Sequence, residues 1–100
     1  MSNPKNTRQV KDIISVLKKK GFELNPEKDH HQYYFLFDKD GKKTHIYTYI
    51  SNGESECNNF ILGKIKKQLK FKERDNFEKF LNCPMSYEMY LRMLTEDEEL

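Results

Sequence analysis

The segment His30-His31-Gln32-Tyr33-Tyr34-Phe35-Leu36-Phe37 constrains this chain more than any other stretch of its sequence. It is dense in aromatic residues and contains neither glycine nor proline, which is the signature of a strand. Asp38-Lys39-Asp40-Gly41 follows at once, a hairpin signal, and Thr44 to Ile50 supplies the returning strand. Upstream, Phe22-Glu23-Leu24-Asn25 alternates and then meets Pro26, so a short strand precedes the hairpin. The spacing predicts three antiparallel strands in a meander.

Helical periodicity flanks this sheet on both sides. Val10, Ile13, Ile14 and Leu17 follow Thr7, the expected N-cap, and the pattern ends at Lys18-Lys19-Lys20 and Gly21. The lysines suit the negative end of a helix dipole. A second helix is expected from about Glu56 to Leu69. Phe60, Ile61, Leu62, Ile65 and Leu69 mark its apolar positions, and Lys64, Lys66, Lys67 and Lys70 surround them. Beyond Phe71 come Phe77, Phe80 and Leu81, a break at Cys83-Pro84, and a final helix that Ser86 caps, bearing Tyr87, Met89, Tyr90, Met93 and Leu94. The expected fold class is α+β. Residues 1–72 form an α-β-β-β-α core, and residues 73–100 a helical extension with an acidic end, Glu96 to Glu99, in the same domain.

One hundred residues suffice for a single domain that buries roughly two thirds of its unfolded surface. Apolar residues are 36% and charged residues 34%, yet 13% are aromatic, so a polar chain still holds the makings of a core. The longest apolar run, Tyr33 to Phe37, is far shorter than a membrane span, and no apolar stretch of signal-peptide length follows Met1-Ser2-Asn3-Pro4-Lys5. The expectation is a cytoplasmic protein with no membrane partner. Cys57 and Cys83 form no CxxC pair and are read as reduced thiols.

Charge is laid out unevenly. Residues 1–72 carry 14 Lys and one Arg against four Asp and four Glu, net +7, while residues 73–100 are net −5. A basic body of this kind is a footprint for a polyanion.

Alternation splits the aromatic strand into two rows, His31, Tyr33, Phe35 and Phe37 in one, and His30, Gln32, Tyr34 and Leu36 in the other. The first row is the more apolar and is expected against the helices. In the returning strand Ile46 and Ile50, with Thr44 and Thr48, are expected to face inward, leaving His45, Tyr47, Tyr49 and Ser51 outward. A two- or four-residue hairpin loop sets even positions opposite odd ones; His30, Gln32 and Tyr34 then share the open face with His45, Tyr47 and Tyr49, whereas a three-residue bulged loop breaks this match. Histidines and tyrosines on an open sheet face suit the stacking of unpaired bases, with Lys64, Lys66 and Lys67 to meet phosphates. The alternative is that Tyr47 and Tyr49 are ordinary sheet residues covered by the C-terminal helices.

His30 is the candidate for proton transfer, with Asp29 beside it to orient the ring. Adjacent strand residues point to opposite faces, so His30 and His31 are not read as ligands of one metal ion. No metal or cofactor is expected.

Gly21-Phe22, Asp29-His30-His31, Asp40-Gly41-Lys42, Ile46-Tyr47-Thr48, Ser51-Asn52-Gly53 and Lys64-Ile65-Lys66-Lys67-Gln68-Leu69 occur in an order and spacing that resemble the HicA toxin family. The likeness runs from about Thr7 to Phe71. Phe80-Leu81-Asn82-Cys83-Pro84-Met85-Ser86 with Tyr90 resembles a tail found in a subset of such chains. The resemblance implies a double-stranded-RNA-binding-like fold, metal-independent endoribonuclease action on messenger RNA, and neutralisation by a HicB-type antitoxin. It maps the family's active histidine onto His30, with His31 as the alternative. Lys28 stands where the family carries glycine, and Asn52 where a second histidine is common. Apart from the toxin, the same surface suits a non-catalytic RNA-binding module.

Overall fold

The structure, a computed structural model, describes residues 8–25, 31–51, 53, 55–82 and 84–100. Among them the chain runs β1 (Arg8–Gln9), α1 (Val10–Lys19), β2 (Phe22–Asn25), β3 (His31–Phe37), β4 (Lys43–Ser51), β5 (Glu56–Cys57), α2 (Asn59–Gln68), α3 (Arg74–Leu81) and α4 (Tyr87–Glu96). It is an α+β fold with a three-stranded antiparallel sheet ordered β2-β3-β4.

The two helices that flank the sheet are started by different devices. Gln9 precedes α1 without a side-chain cap, and the Val10 N–H instead donates to the Ser55 carbonyl at 2.9 Å. That bond belongs to a small clamp in which β1 pairs antiparallel with β5, Arg8 opposite Cys57 and Gln9 opposite Glu56. The expected Thr7 cap lies outside the described residues. Because Glu56 and Cys57 are used as a strand, α2 begins later than its periodicity predicts. Asn58 caps it, its side chain accepting from the Ile61 N–H at 2.9 Å. Ser86 caps α4 as expected, accepting from Met89 N at 3.2 Å.

The hairpin turns through a three-residue loop. Asp38 N donates to Lys42 O at 2.9 Å, Gly41 N donates to Asp38 O at 3.0 Å, and Gly41 takes φ +80°, the left-handed bulge position such loops require. The Asp38 carboxylate binds the loop from inside, accepting from the N–H groups of Asp40 and Lys42 at 2.9 Å each.

This loop corrects the expected faces of β3. Tyr33 lies opposite Tyr49, Tyr34 opposite Thr48 and Phe35 opposite Tyr47, with a register irregularity between Phe35 and Phe37. Odd positions therefore face odd positions. Tyr34 and Leu36 share the helix side with Ile46, Thr48 and Ile50, all buried, and His31, Tyr33 and Phe35 share the open side with Tyr47 and Tyr49. The β4 rows are as expected; the β3 rows are reversed.

One hydrophobic cluster joins every helix to the sheet: Ile13 and Leu17 of α1, Phe22, Leu36, Ile46 and Ile50 of the sheet, Ile65 of α2, Phe77 and Phe80 of α3, and Tyr90 and Leu94 of α4. Residues 73–100 are thus part of the core rather than an addition to it. Phe22, Phe71, Phe80 and Tyr90 interlock, with Phe80 and Tyr90 centroids 4.9 Å apart and Phe22 edge-on to Phe80 at 6.4 Å. The Tyr90 hydroxyl donates to the Leu69 carbonyl at 2.8 Å, which satisfies the one polar atom of a fully buried ring. Of the three lysines ending the first helical pattern, Lys18 and Lys19 are exposed but Lys20 is buried. Its amine donates to the Met85 carbonyl and sits 5.5 Å from the Phe80 ring centroid, so it fastens the connection from α3 to α4.

Candidate nucleic-acid interface

The core occupies one side of the sheet, and the other side presents a patch of packed rings. Residues opposite each other on neighbouring strands bring their side chains into contact, and here the register stacks His31, Tyr33 and Phe35 against Tyr47 and Tyr49. His31 and Tyr49 centroids are 4.7 Å apart, Tyr33 and Tyr49 5.5 Å, and Phe35 and Tyr47 5.1 Å in a stacked arrangement. Tyr47, 38% exposed, is the most open of these rings.

Two lysines border the patch. Lys43 places its amine 4.6 Å from the Phe35 centroid. Lys64 reaches from α2 around the β4 edge, donating to the Tyr49 carbonyl at 2.9 Å with its amine 3.8 Å from the Tyr49 centroid. Each is a cation held over an aromatic face, an arrangement worth roughly 0.5–1 kcal/mol at an exposed site. A ligand with flat groups and negative charge would meet both kinds of contact together.

His31 lies at one end of the patch, half-buried. Its Nδ1 is 3.2 Å from the Ser51 hydroxyl, opposite it in the sheet, and its ring is edge-on to Tyr33 at 6.1 Å. The Ser51 contact occupies Nδ1, so Nε2 is the nitrogen that bond does not use.

The expected site residues separate into three groups. His45, Tyr47 and Tyr49 are on the open side of β4, as predicted, and Lys64 touches the patch. Tyr34 is not on that face: it is 2% exposed, burial raises its phenol pKa above the ordinary value, and its hydroxyl donates to Gln32 Oε1 at 3.1 Å. Gln32 shares its row, exposed at the end of the strand opposite Ile50. Lys67 is exposed on α2, whereas Lys66 is half-buried and lines a separate groove of about 380 Å³ with Leu62, Arg74, Phe77 and Glu78. His30 lies outside the described residues, and so does Asn52. Sequence reasoning missed Tyr33, Phe35, Lys43 and the outward placement of His31. The signal for Tyr33, Phe35 and His31 is the three-residue loop, because it sets the parity of the pairing, while Lys43 falls one residue before the expected start of β4.

Among the described residues no group of three or more His, Cys, Asp or Glu side chains is placed to hold a metal ion, and no helix is long and apolar enough to cross a membrane. No protein-family model matches the chain, and no curated protein or solved structure is significantly similar to it.

Proposed function

We propose that this chain binds single-stranded RNA on the open face of its sheet and cleaves it there, acting as an mRNA interferase of the HicA type. The observation that carries the reading is the patch formed by His31, Tyr33, Phe35, Tyr47 and Tyr49 with Lys43 and Lys64 at its borders. Unpaired bases stack on such rings without sequence preference, and lysines follow the phosphates. The order α1-β2-β3-β4-α2, with apolar residues of both helices in one cluster with the inner face of the sheet, supports a double-stranded-RNA-binding-like core.

The chemistry asks for a proton acceptor beside a bound ribose. The resemblance maps the active histidine onto His30 with His31 as the alternative, and the strand-face argument asks for the outward row of β3, on which His31 lies among the described residues. Attack of the 2′-oxygen on the adjacent phosphorus forms one P–O bond and passes the hydroxyl proton to His31 Nε2. The bond from phosphorus to the 5′-oxygen breaks, and that oxygen takes a proton from solvent, leaving a cyclic phosphate and a free 5′-hydroxyl. A neighbouring lysine stabilises the charge on the crowded phosphate. A HicB-type antitoxin is the partner this reading implies, presenting carboxylates to the cationic borders of the patch.

The test is cleavage of a single-stranded RNA, with EDTA present, by the wild type and by His31→Ala and His30→Ala, each beside a thermal melt. His31→Ala is expected to lose about 10²- to 10⁴-fold in rate at saturating RNA, beyond the roughly tenfold loss of affinity that removing one stacking ring brings. Loss of activity in His30→Ala with full activity in His31→Ala overturns the assignment. A second reading, a non-catalytic RNA-binding module, is favoured by the partner of His31 being a serine rather than a carboxylate. A wild type that binds RNA and never cleaves it decides for that module.

A further inference from the structure

A second surface adjoins the aromatic patch and is not explained by the fold. Phe60, in the first turn of α2, is 84% exposed. Beside it runs an open groove of about 620 Å³ lined by Asn59, Phe60, Gly63, Lys64, Lys67 and Gln68. Gly63 is one of the lining residues. Glycine inside a helix costs roughly 0.5–1 kcal/mol relative to alanine, and a close neighbour usually explains its presence. A Cβ at Gly63, however, would meet nothing within 4 Å among the described residues. Among the described residues nothing fills the space over the helix backbone there.

Among the described residues the charged residues lining this groove are Lys64 and Lys67, and the exposed Lys67 favours an anionic occupant. Lys64 belongs to the groove and to the aromatic patch at once, since its amine rests on the Tyr49 ring and bonds the Tyr49 carbonyl. A strand lying on Tyr47 and Tyr49 that continues past Lys64 enters the groove that Phe60 lines. We infer that the groove is a second subsite for the same RNA strand, stacking one base on Phe60 and holding the neighbouring phosphate at Lys67. The inference rests on the RNA-binding reading of the sheet face and extends it around the edge of β4.

The experiment uses labelled 2′-O-methyl oligouridylates of roughly 4 to 16 nucleotides, the range of single-strand site sizes, which lack the attacking hydroxyl and survive the measurement. Wild-type affinity is expected to rise with length as the strand reaches the groove. Phe60→Ala should lose about tenfold on the long oligomers and nothing on the shortest, as expected for one stacked base. Phe60→Tyr should keep the gain, and Gly63→Leu, which fills the groove, should lose it. Phe60 is too exposed for its removal to unfold the domain. Phe60→Ala matching the wild type at every length, while Tyr47→Ala weakens all of them, overturns the subsite and leaves the sheet-face reading standing; it is also the result a protein occupant would produce. Binding at no length overturns both.

Discussion

The ring of Tyr87 occupies the space that a side chain at Gly21 would need. A Cβ built on Gly21 lies 2.4 Å from Tyr87 Cε1 and 2.8 Å from Cδ1. The ring is anchored there, because the Tyr87 hydroxyl donates to the Phe37 carbonyl at 2.7 Å while Phe37 N donates back to the Gly21 carbonyl at 2.9 Å. Three elements distant in sequence, the end of α1, the end of β3 and the start of α4, meet at a residue with φ +90°.

Gly21→Ala should therefore destabilise the fold by about 2–4 kcal/mol, combining left-handed backbone strain with overpacking. Urea unfolding measures it. Introducing Tyr87→Ala in the Gly21→Ala background should cost less than in the wild type, because the two residues compete for one space. Additive costs would show that the contact is not the source of the penalty.

Gly63→Ala should have the opposite sign. The position is helical and its Cβ meets nothing within 4 Å among the described residues, so the substitution is expected to stabilise by about 0.5–1 kcal/mol. A rise in the urea midpoint at constant slope is the readout.

Tyr34 and Tyr47 separate packing from binding. Tyr34→Ala removes a ring buried opposite Thr48, whose hydroxyl donates to Gln68 of α2 at 2.6 Å, and should cost about 3–5 kcal/mol. Tyr47→Ala should leave the melting temperature nearly unchanged and weaken oligonucleotide binding about tenfold. The reverse pattern would restore the strand phase in which Tyr34 faces outward.

Stability should fall in alkali. Burial lifts the Tyr90 phenol far above its ordinary value of 10.0, and raises that of Tyr34 in the same direction. Tyr87 is raised as well, by burial first and then by the Asp38 and Glu88 carboxylates. Each folded value exceeds the unfolded one, so the contribution is fully present below about pH 10 and is lost as pH rises above it. Urea melts from about pH 8 to about pH 11 should show the decline. Tyr90→Phe should start lower by about 1 kcal/mol, having lost its bond to the Leu69 carbonyl, and fall less steeply.

Much of this fold can be read locally. Ser86 before Tyr87-Glu88-Met89 announces α4, Gly21 after a helical pattern announces its end, and Ile46, Thr48 and Ile50 announce the inner row of β4, because each signal depends on neighbours a few residues away. The β1–β5 clamp leaves no such trace, since two-residue strands have no period to detect. Lys20 likewise looks like its two exposed neighbours until Met85 and Phe80 surround it.

The site divides in the same way. The sequence alone determined that an aromatic strand and a tyrosine-bearing partner form a hairpin, and that Tyr47 and Tyr49 look away from the core. Which row of β3 joins them was decided by the tertiary structure. Both rows carry large apolar side chains, Tyr33 and Phe35 against Tyr34 and Leu36, so ranking them by hydrophobicity picks the wrong row. A one-residue change in loop length exchanges every side chain between the faces. The choice was made by the left-handed Gly41 closing a three-residue loop, and by β2, which sets buried Phe22 opposite buried Leu36 and so turns Tyr34 inward and His31 out.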